Sequence, residues 1–73
     1  MSDNPEEYAR KSYQRAEKLI ENDPNIAKGI IAQNYCDIHY DTDTEKRMNC
    51  RKKITDITKS VAKWEANPEN EDI

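Results

Sequence analysis

Apolar residues recur at helical spacing in three segments of the chain. In the first and third segments they are separated by steps of three and four residues, which place the side chains on one face of an α-helix. The third stripe also follows a heptad pattern, but it is shorter than the roughly three to four heptads that a coiled coil requires. The stripes are Ala9, Tyr13, Ala16 and Ile20 in the first segment, and Cys50, Ile54, Ile57, Val61 and Trp64 in the third.

The middle segment, from 26 to 40, is apolar around more than half of its circumference. It contains only two formal charges, Lys28 and Asp37, and this distribution is typical of a helix that packs on two sides. The single glycine of the chain, Gly29, also lies here. Glycine costs roughly 1 kcal/mol relative to alanine inside a helix, and a close crossing with another helix would explain its presence.

Proline and capping residues mark the ends of three predicted helices. Asn4 followed by Pro5 offers an N-cap oxygen and a proline at the first helical position. Pro24 disfavours helix at the preceding aspartate, which can itself cap a second helix, and Thr42 with Glu45 fits a capping box. The prediction is one domain of residues 1–66 with helices at about 5–22, 24–40 and 43–66, followed by a disordered acidic tail at 67–73.

Short connections between the three segments make sequential helices antiparallel neighbours. The predicted fold is therefore all-α, with three antiparallel helices in a small up-down-up bundle. Only 34% of the 73 residues are hydrophobic and there is no phenylalanine, so one core of this size supplies about 3–5 kcal/mol of net stability. We therefore expect either a marginally stable monomer or a chain that gains stability through dimerisation or partner binding.

Hydropathy and charge indicate a cytoplasmic protein without a membrane span. No apolar run approaches the ~18 residues of a transmembrane helix, and the acidic, polar N-terminus is unlike a secretory signal. The net charge of −3 gives no argument for binding to nucleic acid or to an anionic membrane.

Two cysteines, Cys36 and Cys50, lie seven residues on either side of Asp43, so an antiparallel hairpin places them at nearly the same height. A disulfide between them would close a loop of about 15 residues and stabilise the fold by ~3 kcal/mol. In a cytoplasmic protein, free thiols packed in the core are favoured over the bridge. A zinc site that includes His39 is disfavoured because it lacks a clear fourth ligand. No metal or cofactor is therefore expected.

Charge and aromatic residues indicate an interaction protein. Residues 45–66 of the third helix have a net charge of +4, whereas the rest of the chain carries −7. Tyrosine and tryptophan are common in binding hot spots, and one small bundle cannot enclose all of those in this chain. The residues predicted to bind a partner are Tyr8, Tyr35, Tyr40, Trp64, Arg47, Arg51 and Lys52.

The sequence thus predicts a small non-enzymatic helical protein that binds and regulates another macromolecule, with another protein or a second copy as partner. Catalysis is not expected, because the chain has one histidine and one glycine and no recognisable catalytic constellation or phosphate loop. Small charged chains of this kind are often inhibitors or accessory factors of mobile elements. The alternative is a nucleic-acid-binding regulator using the basic face of the third helix, which the low pI of about 5.1 makes less favourable.

Overall fold

The structure, a computed structural model, describes residues 4–66, which form three α-helices. These are α1 at Pro5–Leu19, α2 at Asn25–His39 and α3 at Thr44–Ala66. The all-α prediction is confirmed, since no strand occurs between residues 4 and 66. None of the helices in this range combines the length and apolar character needed to cross a bilayer. The predicted acidic tail, 67–73, lies outside the described residues.

Helix α1 begins as its sequence predicts but ends earlier. The Asn4 side chain accepts a hydrogen bond of 3.0 Å from the backbone N–H of Glu6, and Pro5 occupies the first helical position. The helix ends at Leu19 because Ile20 already has non-helical torsion angles, with φ −131° and ψ 77°. The connection between α1 and α2 therefore takes five residues, 20–24, rather than the single residue between the predicted helices at 5–22 and 24–40.

The starts of α2 and α3 differ in detail from the predicted caps. Helix α2 begins at Asn25, after Pro24, and has no side-chain cap hydrogen bond. At the start of α3, the backbone N–H of Lys46 donates to Asp43 Oδ1 at 3.1 Å. The aspartate therefore caps α3, in place of the predicted capping box that begins at Thr42. A carboxylate at the N-cap also complements the positive end of the helix dipole.

The core is small, and every helix packs against the other two. Ile54 is the largest side chain that is fully buried, and most other core residues are alanine or cysteine. Small residues let the three helix backbones approach closely, but each contributes little apolar area. The core comprises Ala9, Tyr13, Ala16, Ala32, Cys36, Tyr40, Cys50 and Ile54, with Tyr8, Ile31, Ile57 and Val61 packed against it.

A disulfide joins Cys36 in α2 to Cys50 in α3, with the two Cα atoms 5.8 Å apart. Both residues are fully buried. The sequence left free thiols and a bridge as alternatives and favoured the thiols. The structure has the bridge because the two helices place both cysteines on facing sides at one height, within the usual Cα separation for a disulfide. The same bond engages both sulfurs that the zinc alternative needed.

Buried Ser12 in α1 is expected to reduce stability. Its side chain has no exposed surface, and its hydroxyl has no hydrogen-bond partner among the described residues. A buried unpaired polar group costs about 1–3 kcal/mol, so Ser12→Ala should raise the free energy of unfolding by about 1 kcal/mol. Urea denaturation measures this, with exposed Ser60→Ala in α3 as the matched control for helix propensity. An equal gain in both variants would contradict the assigned cost.

Candidate interaction surface

Helix α2 presents three large apolar side chains to solvent. Ile26, Ile30 and Ile38 are 70%, 56% and 77% exposed. Together with exposed Asn34 they repeat every four residues along one side of α2, and we call these four residues the α2 ridge. Rows at this spacing are the ridges that pack into the grooves of another helix. The ridge carries no formal charge.

A shallow groove of about 240 Å³ runs beside the ridge, between α2 and α3. The α2 side of the groove is mostly aliphatic, and the α3 side adds two threonines and a lysine. Helix-binding proteins often combine such a groove with apolar anchor positions. Its lining consists of Ile26, Gly29, Ile30, Gln33, Thr55, Thr58 and Lys59.

The floor of the groove is a close crossing of α2 and α3 at Gly29. A Cβ atom at Gly29 would lie 2.7 Å from Thr58 Oγ1, and that hydroxyl donates to the backbone carbonyl of Ile54 at 2.9 Å. One helical turn further along α2, Gln33 Nε2 donates to Thr55 Oγ1 at 3.1 Å. The groove therefore depends on the absence of a side chain at Gly29, as the sequence indicated.

Gly29→Ala is expected to destabilise the protein despite a better helix propensity. Alanine gains roughly 1 kcal/mol of propensity over glycine, but overpacking of a fixed contact typically costs about 1–3 kcal/mol. In a Thr58→Ala background the obstructing hydroxyl is gone, so the same substitution should become stabilising. A double-mutant cycle of urea denaturation measures the coupling. Equal effects of Gly29→Ala in both backgrounds would argue against the close crossing.

The basic residues predicted to bind a partner are partly engaged within the protein. Arg51 Nη1 lies 2.6 Å from Asp37 Oδ2, an ion pair between α3 and α2. Arg47 Nη1 donates to the backbone carbonyl of Asp41 at 3.5 Å. Lys52 is exposed. The predicted basic patch is therefore divided: Arg51 holds α3 to α2, Arg47 contacts the turn between these helices, and Lys52 faces solvent.

The predicted aromatic anchors do not form one surface. The Tyr8 ring stacks on His39 with centroids 4.1 Å apart, and Tyr40 meets both rings edge-on. Tyr40 is only 4% exposed, because α1 and α2 enclose it. The prediction that Tyr40 is an exposed partner contact is therefore corrected. Tyr35 is half-buried, and Trp64 is 60% exposed in the last turns of α3.

The ends of α1, α2 and α3 near Trp64 are tied by polar contacts. The Tyr13 hydroxyl donates to Asn25 Oδ1 at 3.4 Å, and Asn25 Nδ2 donates to Glu65 Oε2 at 3.0 Å. Burial of Tyr13 raises the pKa of its hydroxyl above the usual 10.0, and the negative charges of Glu17 and Glu65 add to this effect. The neutral form is therefore favoured in the fold, and this contribution to stability is lost only as the pH rises above about 10.

Sequence reasoning missed the three isoleucines of the α2 ridge as surface residues. It chose tyrosine and tryptophan because these dominate binding hot spots. A usable signal was present, since α2 has only two charged residues and its apolar positions extend around most of the helix. That pattern is also typical of a helix packed on two sides. In the structure α2 packs on α1 and α3 through neighbouring sides, so its outer apolar side stays uncovered.

Residues 4–66 contain no cluster of three or more histidine, cysteine or acidic side chains arranged to hold a metal ion. The geometry instead points to the α2 ridge and its groove as the feature available for binding. Comparison with known family models, with curated proteins and with solved structures finds no match to this chain.

Proposed function

We propose that this chain is a small non-enzymatic helical protein that binds and regulates another macromolecule, with another protein as the favoured partner. The observation that carries the proposal is the α2 ridge, where three isoleucines remain more than half exposed. Between residues 4 and 66, the core fully buries only one large aliphatic side chain, Ile54, and these three remain outside it. Large apolar side chains that share one exposed strip are typical of interaction sites.

The free energy available from burying the three isoleucines supports a binding role for the ridge. Full burial of an isoleucine is worth about 1.5–3 kcal/mol, and the three isoleucines are on average about two-thirds exposed. Covering them would contribute roughly 3–6 kcal/mol, which is comparable with the cost of association of about 4–15 kcal/mol. A stable complex therefore needs further contacts from the groove and its rims.

A second copy of the chain is the alternative occupant of the ridge. The proposal takes the helices as an up-down-up bundle whose outer α2 side a dimer would complete. The absence of formal charge on the ridge favours this alternative, because self-contact would bury no like charges there. Sedimentation over a range of concentrations separates a dimer from a monomer.

The biological setting is proposed from composition rather than from geometry. A role as inhibitor or accessory factor of a mobile element rests on the small size and high charge of the chain. A cytoplasmic location is part of this proposal on the grounds of hydropathy and of the polar N-terminus. The Cys36–Cys50 disulfide weighs against that location, because such bridges persist mainly in oxidising compartments.

A nucleic-acid-binding regulator is the second candidate. The observation that favours it is the exposed side of α3, where Lys52, Lys59 and Lys63 face solvent. Contacts to phosphates would make the affinity fall steeply as salt rises. A mobility-shift assay at low salt with random duplex DNA and single-stranded RNA tests this candidate, and absence of any shift would exclude it.

The leading proposal is tested by placing a charge on the ridge. Wild-type protein should bind a hydrophobic fluorescent dye at the exposed isoleucines, and Ile30→Asp should reduce the bound-dye signal several-fold. Ser60→Asp in α3 is the matched control, because it adds the same charge at an exposed helical position away from the ridge. Circular dichroism verifies that each variant is folded. Unchanged dye binding in Ile30→Asp would remove the support for this surface.

A further inference from the structure

We infer that α1 is a lid over a covalently clamped α2–α3 pair, and that its undocking as a unit gives thiol reductants access to the Cys36–Cys50 disulfide. Local opening of this kind, in which one element leaves while the rest stays folded, has a lower free energy than global unfolding. The α2 ridge stays with the clamped pair, so this opening is separate from the proposed binding role.

The strong links between helices hold α2 to α3. The disulfide and the interhelical ion pair found in residues 4–66 both join these two helices. In the chain-entropy model, the closed loop disfavours states in which α2 and α3 lose their structure by a factor of about a hundred. It places no such penalty on undocking of α1, which lies outside the loop. The polar links between α2 and α3 are Arg51 Nη1 with Asp37 Oδ2 at 2.6 Å, Gln33 Nε2 with Thr55 Oγ1 at 3.1 Å, and Asn25 Nδ2 with Glu65 Oε2 at 3.0 Å.

Helix α1 is attached to this pair by weaker contacts. The Tyr8 ring stacks on His39, and the Tyr13 hydroxyl donates to Asn25 Oδ1 at 3.4 Å, which is longer than the roughly 2.5–3.0 Å of ordinary O–H···O bonds. Docking of α1 also buries the Ser12 hydroxyl without a partner among residues 4–66. Three of the four buried side chains of α1 are small, and the four are Ala9, Ser12, Tyr13 and Ala16.

Two clefts open along the seam between α1 and α3. One of about 370 Å³ lies at the start of α1, between Glu6 and the lysines Lys52 and Lys53. The other, of about 310 Å³, lies further along, between Glu17, Lys53 and Ile57. Among residues 4–66, no ion pair crosses this seam. The two helices therefore meet through their core residues and are open along their flanks.

The connection 20–24 is suited to act as the hinge of this lid. Residues 21–24 are exposed, and no side chain of the connection forms a hydrogen bond or ion pair with another residue between 4 and 66. Five extended residues span roughly 17 Å, which exceeds the roughly 10–12 Å diameter of a helix. Helix α1 therefore has enough chain to leave the core while α2 stays in place.

The disulfide is covered from both sides of the α2–α3 seam. On the outer side, Asp37 and Arg51, each adjacent in the chain to a bridged cysteine, form their ion pair. On the inner side lies α1, whose Ala9 belongs to the same buried core as the two cysteines. Neither cysteine has exposed surface, so a reductant must pass one of these two covers. Loss of α1 uncovers the inner side and breaks no link between α2 and α3.

Reduction in the open state proceeds by thiol–disulfide exchange with a dithiol. One thiolate of the dithiol attacks a sulfur of the bridge and displaces the other cysteine as a thiolate. The second thiolate of the dithiol then displaces the first cysteine from the mixed disulfide, and the reductant leaves as a cyclic disulfide. Two electrons pass to the protein, and the two cysteines take up the two protons that the dithiol lost. The clamp is thus released at a rate set by α1.

Native-state hydrogen exchange of the oxidised protein tests the lid directly. Protection factors of amides in the middle of α1 should be about tenfold or more below those in the middle of α2 and α3, because α1 opens alone while the clamped pair opens only with the whole fold. Equal protection in the three helices would show one cooperative unit and would overturn the inference.

Rates of reduction by dithiothreitol in native buffer test the route. Ser12→Ala removes the cost of the buried hydroxyl and should slow reduction about fivefold, with exposed Ser60→Ala as the control for helix propensity. Gln33→Ala removes a link that the open state retains, so it should lower the urea midpoint and leave the reduction rate unchanged. Faster reduction in Gln33→Ala, in proportion to its lost stability, would assign reduction to global unfolding. Faster reduction in Asp37→Asn, with no change in Ser12→Ala, would assign it to the outer side. Either result would overturn the lid.

Discussion

Ile54→Ala is expected to remove most of the stability that the core supplies. Ile54 is the largest fully buried side chain and contacts no solvent. Truncation of a buried isoleucine to alanine costs about 2–5 kcal/mol, through lost transfer free energy and the cavity left behind. A core of this size supplies only about 3–5 kcal/mol, so the substitution removes most of the stability that does not come from the disulfide.

The matched control for this prediction is Ile38→Ala in α2. Ile38 is 77% exposed, and substitutions at exposed sites usually change stability by less than about 0.5 kcal/mol. Urea denaturation followed by helical circular dichroism compares the two variants with the wild type. If Ile54→Ala and Ile38→Ala had the same midpoint as the wild type, the core assignment around Ile54 would be wrong.

The helices could be predicted from the sequence because their apolar spacing and their breakers agree. The stripe of α1, from Ala9 to Ile20, identifies a helix whatever its neighbours are, and its Asn4 cap is observed as predicted. The ends were less predictable, since they depend on which polar group reaches a free N–H. Asp43 and Thr42 are both good caps by residue type, and only the geometry of the turn selects Asp43.

The candidate surface could be predicted less well than the helices. The exposure of a side chain depends on how many neighbouring helices cover its side of the helix. Ile38 lies among apolar neighbours and Ile54 among charged ones, yet Ile38 is exposed and Ile54 is fully buried. Tyr40 shows the opposite error, since hot-spot statistics favour tyrosine at a surface while the packing of α1 and α2 buries it. Neither outcome follows from periodicity along a single helix.

The cysteine pair could be predicted from the sequence only in part. The equal distances of Cys36 and Cys50 from Asp43 indicated that the two residues would be level, and their Cα atoms are 5.8 Å apart. Whether two cysteines at the same height on adjacent helices form a disulfide depends on the redox conditions as well as on geometry. The sequence therefore predicted the position of the pair, while its favoured oxidation state followed an assumed compartment.

Reduction of the Cys36–Cys50 disulfide is expected to lower the free energy of unfolding by about 3 kcal/mol, because a loop of about 15 residues is no longer closed in the unfolded chain. For a domain of this length, that loss lowers the midpoint of thermal unfolding by roughly 10–25 °C. Together with the small core around Ile54, the bridge thus supplies a large share of the stability.

Both sulfurs belong to residues with no exposed surface, so a reductant reaches them only when the structure opens. Reduction should therefore be slow in native buffer and fast in denaturant. Thermal unfolding after equilibration with a phosphine reductant measures the loss, and intact mass reports the redox state. The Cys36→Ala/Cys50→Ala variant should unfold near the midpoint of the reduced protein and ignore reductant. A wild-type midpoint that is the same in both redox states would show that the bridge adds no stability.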